Sequence, residues 1–165
     1  LTFRSSGQLS AAAYLNSLSA MQLIDEIRTA WGWTGIKPLE VVGENEFGNL
    51  IVKDVDGSYW RICPEDCDCR VVALTRQELD ALSRDQVFLR DWHMPALVDQ
   101  AFAVLGVLAE GRKYCLKIPS MMGGEYSEEN FGTIGLNELI RASGHIARQV
   151  KDLPDGAKVR LVITP

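Results

Sequence analysis

The 165 residues are 47% apolar and 24% charged, the balance of an ordinary globular chain, which excludes disorder and fibrous repeats; the length suits one main domain with a short appendage. A net charge of -5, from 22 acidic and 17 basic residues, argues against a nucleic-acid groove, which needs a local basic field, and suits a basic protein partner. The longest apolar runs, such as Ala101 to Ala109, fall short of the roughly 18 to 20 residues that cross a bilayer, so no membrane partner is expected.

Residues 1–20 carry a single charge, Arg4, and are rich in Ser, Ala and Leu. Ser10, Asn16, Ser17 and Ser19 interrupt the apolar stretch and weaken a secretory-signal reading. The segment reads as an N-terminal extension, partly helical from about Leu9, before a single domain over 21–165. Leu23, Ile24, Ile27, Ala30 and Trp31 then follow helical spacing up to Gly32.

Pro38 opens a β-rich stretch. Residues 49–55 and 58–62 flank Asp56-Gly57, which predicts a two-residue hairpin, and Arg70 to Leu74 reads as a third strand. Thr75 with Glu78 forms a capping box that starts a helix with Leu79 and Leu82 inward. A further helix is expected over about Ala96 to Leu108, ended by Gly111. Tyr114 to Ile118 reads as a strand stopped by Pro119, and Met122 to Asn130 as an exposed acidic loop. The last helix presents Leu136, Leu139, Ile140, Ile146, Ala147 and Val150 on one face. Pro154-Asp155-Gly156 turns it into a final strand, Lys158 to Ile163. The expected fold is α+β, a mostly antiparallel sheet with a central hairpin and helices packed against it.

Four cysteines are present, three of them in Cys63-Pro-Glu-Asp-Cys67-Asp-Cys69, where disulfide geometry is demanding. Reduced thiols and a cytoplasmic location are expected. Zinc held by Cys63, Cys67, Cys69 and His93 is the alternative, but zinc modules present two separated pairs, and the second pair is missing. His93 reads as a half-buried imidazole between two helices. It and His145 lack the oriented partner that nucleophilic catalysis needs. No cofactor and no catalytic residue are assigned.

Gly123-Gly124-Glu125-Tyr126-Ser127-Glu128-Glu129-Asn130 combines a flexible Gly-Gly start, an aromatic anchor and clustered negative charge. That pattern fits a recognition loop better than an acid-base pair. Glu125, Tyr126, Glu128 and Glu129 are the candidate partner-binding residues. Trp33 and Tyr59 join them as surface aromatics, while Trp31 is assigned to the core.

Trp31-Gly32-Trp33-Thr34-Gly35, Glu44 to Leu50, Tyr59 to Glu65, Gly123-Gly124-Glu125-Tyr126 and Ile146 to Gly156 together resemble the bacterial type VI secretion DNase-immunity family of the C-terminal-domain type, over about Met21 to Ile163. The resemblance implies a non-enzymatic antitoxin that stays in the producing cell's cytoplasm and occludes a cognate, basic nuclease toxin. The rival expectations are a small metal- or thiol-dependent enzyme built on the cysteine cluster, and a self-associating regulatory domain that forms a homodimer.

Overall fold

The computed structural model describes residues 11–154 and 156–159. Helix α1 (Ala11–Trp31) leads into an antiparallel four-stranded meander: β1 (Pro38–Glu44), β2 (Leu50–Asp54), β3 (Tyr59–Cys63) and β4 (Asp68–Ala73). Three helices follow, α2 (Arg76–Leu82), α3 (Gln86–His93) and α4 (Pro95–Leu105), then a separate hairpin of β5 (Arg112–Leu116) and β6 (Phe131–Gly135), and finally α5 (Leu136–Val150). The class is α+β.

Strand β2 explains the layering. Successive side chains of a strand point to opposite faces, yet Leu50, Ile51 and Val52 are all buried, because both faces of the sheet are covered. Leu50 and Val52 meet Ile27 and Trp31 of α1 and Ile140 and Ala147 of α5. Ile51 meets Tyr59, Ala73, and Leu79, Phe88 and Trp92 of α2 and α3. A further core gathers Phe47, Tyr114, Phe131 and Ala101 between the β5–β6 hairpin and α4. Gly144 lets α1 and α5 touch: a Cβ there would sit 2.7 Å from the carbonyl oxygen of Ala30. The Trp31 indole N–H donates to the Ile140 carbonyl at 3.1 Å.

Several expectations are corrected. The hairpin between β2 and β3 has a three-residue loop, Val55 to Gly57: the Asp54 N–H bonds the Ser58 carbonyl at 2.8 Å, and only Gly57 has positive φ. That is the arrangement of a type I turn closed by a left-handed glycine. Helix α4 ends earlier than expected, at Gly106 with φ 75°, not at Gly111. Helix α3 and strand β6 were not among the expected elements, and β1 was anticipated only as a β-rich stretch opening at Pro38, not as a strand. Helix α1 passes through Met21 without a break. In agreement with the turn expected there, Gly156 has positive φ, 79°. Of the expected strand Lys158 to Ile163, Lys158 and Val159 have no regular structure, and the remainder, like Asp155, lies outside the described residues.

The Thr75 capping box forms, with the Thr75 hydroxyl accepting from the Glu78 N–H at 3.2 Å and the Glu78 carboxylate accepting from the Leu74 N–H at 2.6 Å. No helix among the described residues is long and apolar enough to cross a membrane.

Candidate functional site

The acidic loop between β5 and β6 is tied down at both ends. Pro119 stops β5, and its carbonyl accepts from the Met122 and Gly124 N–H groups, both at 3.0 Å. Gly123 takes φ 84°, which a residue without Cβ adopts at no steric cost. Gly124 is required for a different reason: a Cβ there would lie 1.8 Å from the Ile118 carbonyl oxygen. Asn130, 9% exposed, closes the mouth. Its side-chain amide donates to the Ile118 and Glu125 carbonyls at 2.9 and 2.8 Å, and its oxygen accepts from the Ile118 N–H at 2.9 Å. The Gly-Gly start, expected to be flexible, is thus held by the hydrogen bonds around it.

The loop is also fastened across the fold. Pro64–Asp66 forms a one-turn 3-10 helix after β3, ended by Cys67 in the left-handed conformation. It presents Asp66, whose carboxylate accepts from the Tyr126 hydroxyl at 3.0 Å and from the Ser120 hydroxyl. Burial, then the negative charge of Asp66, pushes the Tyr126 phenol well above its usual range, so it remains a donor. Glu125, Glu128 and Glu129 are exposed around this anchor. The backbone amide of Glu129 and the Ser127 hydroxyl hold the Glu129 carboxyl below its ordinary value.

Beneath Tyr126 lies a cleft of about 370 Å³ bounded by Arg61, Glu65, Asp66, Arg90, Asp91 and Met94. Its floor is a buried polar network centred on Asn49, which is 0% exposed. The Asn49 amide donates to both Glu65 oxygens at 2.8 Å, and its oxygen accepts from Arg61 Nε and Nη2 at 3.1 and 2.9 Å. Arg61 also pairs with Asp91 and lies 5.6 Å from the centre of the Trp92 ring. Asn45 donates to the Trp92 carbonyl at 2.7 Å. The strand-turn segment 44–50 therefore positions α3, and α3 with the Met94 corner walls the cleft. Sequence reasoning missed Arg61, Asp91 and Ser120, whose partners lie 30 to 54 residues away.

The other candidates scatter. Tyr59 is 4% exposed and packs with Ile51 and Ala73, so it leaves the surface set: β3 faces it toward α2. Trp33 is partly buried, stacked on Trp31 at 6.3 Å, with an indole N–H that finds no acceptor among the described residues. Cys63 Sγ donates to Asp66 at 3.4 Å, Cys67 Sγ to the Pro64 carbonyl at 3.7 Å, and Cys69 Sγ lies 3.7 Å from the Thr34 hydroxyl. His93 is exposed at the end of α3, not half-buried. The described residues contain no group of three or more such side chains arranged to hold a metal ion. Burial raises all four thiols, Cys67 and Cys69 to about 12, whereas a thiol nucleophile needs a lowered pKa.

These features define a class, an α+β domain with an acidic loop fastened at one edge of the fold. Residues 73–147 match the family model described as "T6SS immunity protein Tdi1, C-terminal". Over this segment, from the end of β4 to Ala147 in α5, the chain is similar to the C-terminal part of a type VI secretion immunity protein. No curated protein matches the sequence. The solved structure described as "Crystal structure of Atu4351 from Agrobacterium tumefaciens" superimposes with a TM-score of 0.52 and 15% identity, covering 76% of this chain and 64% of that one. The likeness is one of fold, and the chain spans less than two thirds of that protein's length.

Proposed function

We propose that the chain is an immunity protein that neutralises a cognate nuclease toxin by occlusion in the producing cell's cytoplasm, acting as a binder and not as an enzyme. The observation that carries this reading is the family match over 73–147, a span that includes the whole acidic loop and its Asn130 clamp. Nuclease sites are basic around their substrate phosphates, so Glu125, Glu128 and Glu129 would gain orientation and association rate from complementary charge. Tyr126, 40% exposed and hydrogen-bonded at its hydroxyl, offers its ring as the apolar contact at the centre of that edge.

The test is DNA cleavage by the purified product of an adjacent toxin gene, titrated with this protein. Cleavage should stop near equimolar addition. Undiminished cleavage at a large excess would sink the proposal.

A further inference from the structure

We propose that the groove between α1, β1 and the start of α5 is a second docking surface, shaped for a basic amphipathic helix of a protein partner. The groove encloses about 940 Å³, near the upper end of the range for pre-formed ligand sites. Leu23, Ile24, Val41 and Leu136 contribute its apolar lining, and Met21 and Leu39 stand at its margin, 63% and 55% exposed. The apolar surface continues beyond it along α1. Leu15, Leu18 and Met21 recur at every third position and are 61%, 37% and 63% exposed, a stripe at the spacing by which one helix meets another.

The charge lining the groove selects the sign of the occupant. Asp25, Glu40, Glu44 and Glu138 line it, against the single cation Arg28. Arg28 pairs with Asp25, and Glu44 pairs with Lys113. Glu40 and Glu138 form no ion pair among the described residues, so they are available to lysine or arginine on the polar flank of an incoming helix. Residues 15–22 of α1 are all exposed, and a helical segment of that length gains little stability without packing. An occupant lying along Leu15, Leu18 and Met21 supplies that packing. The groove shares no lining residue with the cleft under Tyr126, and the inference stands whether or not that edge binds a toxin.

The probe is a synthetic helical peptide of leucine and lysine in an amphipathic pattern, compared with a peptide of the same pattern carrying glutamate for lysine. Binding is read by fluorescence anisotropy, with amide hydrogen exchange of α1 in parallel. The lysine peptide should bind, slow exchange in the first half of α1, and lose at least about tenfold in affinity, or about 1.4 kcal/mol, in the double variant Glu40→Gln, Glu138→Gln. The triple variant Glu125→Gln, Glu128→Gln, Glu129→Gln removes more negative charge than the double variant does, and should bind the lysine peptide as the wild type does. Equal binding of both peptides, or an equal loss in the triple variant, would reduce the effect to general stickiness or net charge and overturn the proposal. So would a dimer in solution that Met21→Asp dissociates, which assigns the groove to a second copy. A gain in peptide affinity on removing residues 1–10 would assign it to the chain's own N-terminal segment, also against the proposal.

Discussion

Asn49 is wholly enclosed, and every polar atom of its side chain is used: the amide serves Glu65, the oxygen serves Arg61. Replacing it with alanine takes the amide donor from buried Glu65 and leaves the Arg61 Nε without its acceptor, with only Asp91 still paired to the guanidinium. Asn49→Ala should therefore cost about 3 kcal/mol or more, read as a shift in the urea midpoint. Glu65 makes a separate, pH-dependent contribution. Burial raises its folded-state pKa, so the folded chain holds this proton more tightly than the unfolded chain does. Its stabilisation is complete below the unfolded value and is lost as pH rises through the raised folded value. Glu65→Gln should flatten that part of the stability profile and bring its largest relative benefit at the alkaline end, measured by thermal melting between about pH 4 and pH 8. A steeper profile in the variant would contradict the assignment. Gly124→Ala meets a backbone oxygen, not a pliable side chain, and should destabilise by about 1 to 3 kcal/mol; an unchanged melting temperature would place the loop elsewhere.

At the scale of elements, the sequence carried β2, β3 and β4 of the meander, the Thr75 cap and the apolar face of α5, because period and capping are local signals. Helix α3 escaped because it is short and its only start signal is Asp85, whose side chain accepts from the Phe88 N–H at 2.7 Å; that Asp-x-x-Phe spacing was readable. Strand β6, Phe-Gly-Thr-Ile-Gly, contains two glycines, which weaken any strand signal, and it exists through its pairing with β5. The loop before it read as solvated because its fasteners are remote: Tyr126 reaches Asp66, 60 residues earlier. Tyr126→Phe keeps the ring and removes that bond from a half-exposed site. It should change global stability by less than about 1 kcal/mol while speeding amide exchange over 119–130. Unchanged exchange would mean that Asp66 does not hold the loop.

For the whole molecule, the layers divide the work. Helices α1 and α5 on one face and α2 and α3 on the other hold the meander, and the β5–β6 hairpin with α4 carries the acidic loop to the edge of the fold. The resemblance seen over Met21 to Ile163 is matched by a family model over the narrower span 73–147, which includes the loop and leaves out α1 and most of the meander. On the proposed function this edge receives a basic toxin, and association kinetics with the adjacent toxin gene's product test that most directly. Changing Glu125, Glu128 and Glu129 to Gln should lower the association rate at low salt with no change in melting temperature. Added salt, which screens exposed charges over about 8 Å at physiological ionic strength, should bring the wild-type rate down toward that of the variant. Equal rates for wild type and variant at low salt would contradict the account and remove this loop from the interface.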